Sequence, residues 1–449
     1  MRRLLLIALS VALALVALGR EARANSRFPA SNALFFSPTD PELLLLRTTF
    51  GVMVSPDRGK TWDWICERSL NVTGDEDPMF AITPEGTFIA STFGGVAITR
   101  DRGCSFSHAG GEPEGLVFVD VVARPERRGD VFAFASSFDF QNDAGDLFFR
   151  SALYETTDEG RSFTRTGPFL DPTLLGETVD VTATDPDRIY LTTVRDYQTS
   201  PKGVLLVSRD RGKTWTEDAI PLEPGERAAF IAAVDPKNAD RVYLRTAGQP
   251  EDPSRLLVTD DAGKTYRVVF RAQSGLSGFA LSPDGSKIWV GSTTDGLHMA
   301  STTDFAFQQR STIEVQCLAW APDGLWACSS ERSGFVAGVS HDEGVTFETK
   351  LRFCDVRGPL TCPPGTSTHV ECAGGGTGAA AISPWPTLRG LLGCGPDAGT
   401  DAGTGDAGES AADAFDAGGG CSASTRSASP LVAALAFAAA LVAAMRRRR

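Results

Sequence analysis

The chain has 449 residues, 42% of them hydrophobic and 22% charged, which is the composition of a globular protein. Its 46 Gly and 26 Pro supply many turn formers and favour many short strands. The formal net charge is -13, and without residues 1–24 and those after Cys421 it falls to -21, from 34 Lys+Arg and 55 Asp+Glu. Such an acidic surface repels phosphate backbones and excludes nucleic acid as a partner.

The N-terminus has the three parts of an export signal. Arg2 and Arg3 are followed by an apolar run from Leu4 to Leu18, and Ala22-Arg23-Ala24 is an A-x-A cleavage signal. We therefore predict a signal peptide over residues 1–24, cleaved after Ala24. The alternative is an uncleaved anchor, although fifteen apolar residues make a short span.

One motif recurs through most of the chain. "SPDRGKTW" at Ser55 returns as "SRDRGKTW" at Ser208, and four related copies begin at Thr99, Thr156, Thr259 and Ser340. A degenerate copy at Thr302 has lost the glycine. Spacings of 38 to 57 residues between the aspartates indicate a repeat fold.

The pattern Ser/Thr-x-Asp-x-Gly-x-Thr/Ser-aromatic resembles the Asp-box, or BNR repeat, of sialidase-like and sortilin-like β-propellers. Apolar runs and Pro or Gly turns between the boxes give four strands per repeat, strands A to D. We predict an all-β fold, a seven-bladed β-propeller of four-stranded antiparallel blades, over residues 30–353. The box aspartates should be structural, each closing a turn around a Gly of positive φ: Asp57, Asp101, Asp158, Asp210, Asp261 and Asp342.

Strand direction alternates within a blade, which separates two faces. The A–B turns and the Asp-boxes must share one face, and the B–C and D–A loops must share the other. Because recognition loops vary while their scaffold stays regular, we expect ligands at the B–C/D–A face.

The cysteines indicate an oxidising compartment. Setting Cys421 aside leaves eight, an even number that suits disulfides. Pairing Ala321 with Gly324 across the "APDG" turn places Cys317 opposite Cys328, and we predict a disulfide there. We assign Cys354, Cys362, Cys372 and Cys394 to a small Cys-rich C-terminal module over residues 354–394, with connectivity left open. Cys66 and Cys104 then pair by elimination.

The C-terminus is predicted to contain a targeting signal. Residues 395–420 form a disordered Asp/Ala/Gly linker. Cys421, an apolar segment and four terminal arginines follow, over residues 421–449. This order resembles the C-terminal sorting signal of myxobacterial surface proteins (MYXO-CTERM), which implies processing at Cys421 by a sorting protease and attachment to the outer membrane or cell surface. A plain transmembrane tail anchor is the alternative.

For function, we expect a non-catalytic monomer that binds a glycan or a surface protein through the B–C/D–A face, with no metal or other cofactor. The longest B–C loops mix aromatic and charged residues, which suits a contact surface. The predicted ligand-binding residues are Phe138, Phe140, Arg195, Tyr197, Arg245 and Arg332.

The alternative function is a glycoside hydrolase, either exo-sialidase-like or built on a carboxylate pair. Arginines are available near the predicted loop face, namely Arg47, Arg195, Arg245, Arg310 and Arg332. However, sialidases use a nucleophilic tyrosine from a late blade, and no tyrosine follows Tyr266. The candidate carboxylates are Asp139, Asp196, Glu226 and Glu331. Asp139 to Asp146 also gathers oxygen ligands around a Gly, but without EF-hand spacing, so we expect a turn there and no calcium.

Overall fold

The computed structural model describes residues 29–395 except 73–75, 128 and 250. Its strands form seven four-stranded sheets, and every neighbouring pair within a sheet is antiparallel. Each sheet contains four consecutive strands in chain order. The predicted seven-bladed β-propeller is confirmed.

The first four blades contain strands β1 to β16. Blade 1 contains β1 (Ser31–Phe36), β2 (Leu44–Thr48), β3 (Gly51–Ser55) and β4 (Asp63–Ile65). Blade 2 contains β5 (Phe80–Ile82), β6 (Phe88–Thr92), β7 (Gly95–Thr99) and β8 (Ser107–His108). Blade 3 contains β9 (Phe118–Ala123), β10 (Val131–Gln141), β11 (Leu147–Thr156) and β12 (Thr164–Arg165). Blade 4 contains β13 (Leu175–Val181), β14 (Ile189–Arg195), β15 (Lys202–Ser208) and β16 (Thr216–Ile220).

The last three blades contain strands β17 to β28. Blade 5 contains β17 (Ala228–Val234), β18 (Val242–Ala247), β19 (Ser254–Thr259) and β20 (Arg267–Ala272). Blade 6 contains β21 (Gly278–Leu281), β22 (Lys287–Ser292), β23 (Gly296–Ser301) and β24 (Gln308–Ser311). Blade 7 contains β25 (Cys317–Ala321), β26 (Gly324–Cys328), β27 (Ala337–Ser340) and β28 (Glu348–Leu351).

The hydrophobic core is divided among the interfaces between blades. Middle strands such as β6, FIAST, and β7, GVAIT, are buried at every residue, because a neighbouring blade covers each face. Seven apolar clusters fill the seven interfaces, including the one that joins blade 7 to blade 1. The first strands of neighbouring blades contact one another, so strand A is innermost and strand D is at the rim.

The repeated motif forms a turn between strands C and D, which we call the aspartate turn. In blade 1, Asp57 accepts hydrogen bonds from the Thr61 N–H at 2.8 Å, the Thr61 hydroxyl at 2.6 Å and the Ser55 hydroxyl at 3.0 Å. The five other complete copies repeat the first and last of these bonds. The glycine is required where φ is positive and a side chain has no room, as at Gly103 (φ 98°), where a Cβ would lie 2.4 Å from Ile65.

Contacts between blades show that the aspartate turns share one face with the A–B turns, and we call it the turn face. Arg161, in the aspartate turn of blade 3, forms an ion pair at 3.0 Å with Glu85, in the A–B turn of blade 2. Arg58 of blade 1 donates in the same way to Asp323 of blade 7, with Nε 2.7 Å from Oδ2. The B–C and D–A loops lie on the opposite side, which we call the loop face.

The disulfides correct part of the predicted cysteine pairing. Cys317 pairs with Cys328 across strands A and B of blade 7, as predicted. The pairing of Cys66 with Cys104 is wrong, because Cys66 follows β4 towards the loop face whereas Cys104 lies in the aspartate turn of blade 2. The disulfides instead join Cys66 to Cys372, Cys104 to Cys362 and Cys354 to Cys394.

The C-terminal segment is therefore fastened to the start of the propeller. After blade 7, Gly358 and Leu360 hydrogen-bond to Trp64 of β4 at 2.7 and 2.8 Å, so the segment runs parallel to the outer strand of blade 1. Two short helices follow, Ser367–Glu371 and Trp385–Leu391, and Trp385 packs against Trp64. Among the described strands, no sheet combines strands of blades 1 and 7, so this segment ties blade 7 to blades 1 and 2.

The predicted targeting segments lie outside the described residues. These are the signal peptide with its cleavage site at Ala24, nearly all of the linker, and the sorting segment that begins at Cys421. In the part of the chain that the structure describes, no helix is long and apolar enough to cross a membrane.

Candidate functional site

A long hairpin of blade 3 extends above the loop face. Strands β10 and β11 have 11 and 10 residues, whereas the other middle strands have four to seven. Strand β9 pairs with β10 as far as Ala135, and the Ser136 N–H still donates to the Val117 carbonyl at 2.9 Å, so the five residues from Ser137 to Gln141 continue beyond the blade. At about 3.4 Å per residue, they extend the hairpin by roughly 17 Å.

A β-bulge changes the direction of the aromatic side chains on this hairpin. Phe138 is paired with Phe149, but Phe140 is paired with Phe148, and Asp139 is the extra residue. Because Phe148 and Phe149 are consecutive in a strand, they point to opposite faces. Phe138 and Phe140 therefore also point to opposite faces of the hairpin. The predicted pair of ligand-binding phenylalanines does not form one flat surface.

Both phenylalanines are exposed to a degree that core packing does not explain. Phe138 is 59% exposed and Phe140 is 50% exposed. Phe140 stacks on Phe148 with ring centroids 4.6 Å apart. Phe93, in the B–C turn of blade 2, adds a third exposed phenylalanine to the loop face at 55%. These exposed rings make the loop face a candidate contact surface.

The polar groups at the hairpin tip are mostly bonded to one another. The Asn142 side chain donates to the Asp146 carboxylate at 2.9 Å and accepts the Asp146 backbone N–H at 2.8 Å, and the Gln141 amide donates to the Gly145 carbonyl at 2.8 Å. The described structure assigns no hydrogen bond to the carboxylates of Asp139 and Asp143. Among the described residues, no three His, Cys, Asp or Glu side chains are arranged to hold a metal ion.

The predicted residues of blade 4 lie in an ion-pair network. Arg195 donates to Thr173 at 3.1 Å and to the carboxylates of Asp171 and Glu217 at 3.1 and 3.2 Å. The Tyr197 ring lies 4.9 Å below the Arg227 guanidinium. The Arg195 guanidinium therefore already has anionic partners, and a ligand carboxylate would have to compete with them.

The other predicted arginines differ in their availability. Arg245 donates to the carbonyls of Leu276 and Ser277 at 3.0 and 3.3 Å, which fastens strand B of blade 5 to the start of blade 6. Arg332 is exposed in a short 3₁₀ turn of blade 7. The placement of Arg310 near the loop face is wrong, because its guanidinium donates to the Asp342 and Glu343 carbonyls on the turn face, both at 3.2 Å.

Three of the four candidate catalytic carboxylates have structural partners. Glu226 forms a buried ion pair with Arg255, which holds the loop before blade 5. Asp196 pairs with Lys202 at 2.7 Å, and Glu331 accepts the Phe353 N–H at 2.7 Å. Only Asp139 has no assigned partner among the described residues. The geometry shows no pair of these groups prepared for acid–base work.

Sequence reasoning missed three carboxylates on the innermost strands. Asp120 and Asp180 accept N–H groups of Val179 and Val234, in the next blade, at 2.9 and 3.1 Å, and so cap the inner edge of that strand. Burial raises the pKa of Asp120 to about 7 and that of Asp180 to about 6. Burial alone raises the pKa of Glu177 to about 8. The available signal was acidic residues within FVDVVA and LGETVDV, two strands of the innermost ring.

Comparisons with known proteins add to this description only at the level of the fold. No protein-family model matches the sequence, and no curated protein is similar to it. An ancestral GH74 enzyme superposes with a TM-score of 0.53 at 13% identity, over 71% of this chain and 46% of that chain.

Two further solved structures superpose less well. The GH74 xyloglucanase of Xanthomonas campestris gives a TM-score of 0.37 at 16% identity, over 72% of this chain and 54% of its own. The extracellular domain of a one-component system of B. thetaiotaomicron gives 0.44 at 12% identity, over 70% of this chain and 38% of its own. The chain thus spans about half the length of the two GH74 enzymes. Of the three, only the ancestral GH74 enzyme has a TM-score above 0.5, and at 13% identity this superposition indicates a shared fold alone.

Proposed function

We propose that this chain is an exported binding protein, attached to the cell surface or outer membrane by its C-terminal segment, and that it recognises a glycan or a surface protein at the loop face. The observation that carries the proposal is the hairpin β10–β11, with Phe138 59% and Phe140 50% exposed. Exposed apolar side chains of this size are retained where a partner covers them. We assign the repeat to the Asp-box type and the protein to a monomeric, non-catalytic role.

The two faces differ in a way that supports a binding role. On the turn face, each complete aspartate turn closes on its own hydrogen bonds. On the loop face, the hairpin exposes two phenylalanine rings, and the carboxylates of Asp139 and Asp143 have no assigned hydrogen-bond partner in the described structure. A glycoside hydrolase would need two carboxylates free to act on one bond, and Asp196, Glu226 and Glu331 are each bonded to a neighbour. We therefore propose binding without turnover.

The test is a binding measurement with the secreted protein. A glycan microarray and a panel of envelope proteins are probed with the natural protein and with a Phe138→Ala/Phe140→Ala variant. Binding that is lost in this double variant supports the proposal. The control is Val345→Ala, which removes a side chain 49% exposed in the aspartate turn of blade 7, on the opposite face. Equal loss in both variants, or turnover of a bound glycan, contradicts it.

A further inference from the structure

The hairpin has an exposed apolar side chain on each of its two sides, whereas a flat binding surface would have them on one side only. The core side chains of β10 below the bulge define the sides. Ala133 and Ala135 pack in the cluster shared with blade 2, whereas Phe132 and Phe134 pack in the cluster shared with blade 4. Because successive side chains of β10 point to opposite sides, Phe138 lies on the same side as Phe134, towards blade 4. The bulge places Phe140 on the other side, towards blade 2.

The hairpin is held rigidly at its base. The Ser136 and Ser151 hydroxyls are 3.0 Å apart across the two strands, and the Gly176 N–H donates to Ser136 at 2.8 Å. The outer edge of β11 is covered, because Phe149 donates to the Pro172 carbonyl at 2.7 Å. Together with the bonded tip, these contacts fix the hairpin before any partner arrives. A preorganised element loses little entropy on binding.

The upper part of the hairpin is acidic. Residues 136–149 contain three aspartates and no lysine or arginine, and Arg150, the next residue of β11, stacks on the Phe169 ring at 4.6 Å. Asp139 lies between the two phenylalanines at the bulge, and Asp143 is at the tip; both are exposed. A partner that covers both aromatic sides also approaches these carboxylates, and it must offer cationic groups to match them.

From these features we propose that the hairpin inserts as a finger into an apolar cleft, rimmed by lysine or arginine, on a partner protein. The inference rests on the proposed binding function and specifies its partner. A sugar ring stacks on one aromatic face, so a single glycan chain leaves the opposite phenylalanine in water. A concave protein surface covers Phe138 and Phe140 together. Phenylalanine also brings no hydroxyl or indole N–H with which to orient a sugar.

Photo-crosslinking of the full-length protein on the cells that display it tests the insertion. Benzoylphenylalanine replaces Phe138 in one variant, Phe140 in a second, and Val345, on the turn face, in a control. We expect positions 138 and 140 to crosslink to the same protein and position 345 not to do so. Crosslinking from only one of the two hairpin positions, or from neither, overturns the insertion.

Binding of the crosslinked protein, once purified, supplies the second readout. We expect Phe138→Ala and Phe140→Ala each to weaken binding by about tenfold or more, as for buried anchors of an interface. Asp139→Lys/Asp143→Lys should weaken binding. It should also remove the decrease in affinity between 50 and 300 mM NaCl, because the two carboxylates would no longer pair with cations of the partner. Unchanged affinity in the charge variant refutes the cationic rim.

Failure of this inference is distinguishable from failure of the proposed function. If Phe138→Ala/Phe140→Ala abolishes binding on the microarray or protein panel while crosslinks form on one side only, the loop face binds but the hairpin is not inserted. If the double variant binds with the affinity of the natural protein, both the insertion and the proposed function are refuted.

Discussion

The turn face and the loop face are built from the same strands but differ in how their polar groups are used. On the turn face, each complete aspartate turn closes on its own hydrogen bonds, and ion pairs such as Arg161–Glu85 join neighbouring blades. On the loop face, the hairpin of blade 3 exposes Phe138 and Phe140 and leaves Asp139 without an assigned partner. A propeller can thus place its stabilising turns and an exposed apolar hairpin on separate faces.

The largest effect should come from the disulfide that starts in an aspartate turn. Cys104→Ser with Cys362→Ser removes a link across 258 residues, which we expect to lower the free energy of unfolding by about 2–5 kcal/mol. Urea unfolding measures it. The matched control is Cys317→Ser with Cys328→Ser, which opens a link across only 11 residues and should cost less. A larger loss in the control would refute the role of the C-terminal segment in closing the ring.

A smaller effect should follow from removing one aspartate from each face. Asp57→Ala loses three hydrogen bonds of the first aspartate turn, and we expect it to cost about 1–2 kcal/mol. Asp139→Ala on the loop face should change stability by less than about 0.5 kcal/mol. Thermal unfolding of both variants at pH 7 measures the difference. Equal losses of stability in the two variants would show that aspartates of the two faces do not differ in how much they stabilise the fold.

A third expected effect depends on pH and has opposite signs in the two groups of carboxylates. A hydrogen bond from the Thr214 hydroxyl, with others, lowers the pKa of Asp210 to about 2, so its stabilisation is present above about pH 4 and is lost as the pH falls towards 2. Burial raises the pKa of Glu177 to about 8, so the fold favours its protonated form and loses stability as the pH rises from about 4 to 8.

Glu177→Gln tests the second of these signs. The amide cannot ionise, so we expect the variant to unfold at a higher temperature than the natural protein at pH 8 and at nearly the same temperature at pH 4. The exposed Glu251→Gln is the control and should have no such dependence. A difference that is constant from pH 4 to 8 would show that Glu177 is not kept protonated by burial.

The propeller, the number of its blades and one disulfide could be predicted from the order of residues. These depend on local signals, namely a turn motif that recurs with each blade, apolar runs of strand length, and two cysteines placed symmetrically about a tight turn. Such features can be predicted because the strands that pair in each blade also follow one another in the chain.

The remaining features depend on contacts between residues that are distant in the chain. The partners of Cys66 and Cys104 lie 306 and 258 residues away, on a segment that returns along the rim of the propeller. The bulge that sends Phe138 and Phe140 to opposite sides depends on the register of β10 against β11, because a shift of one residue reverses every side chain beyond it. The partners of Arg245 and Glu226 likewise come from neighbouring blades and loops, which the order of residues does not specify.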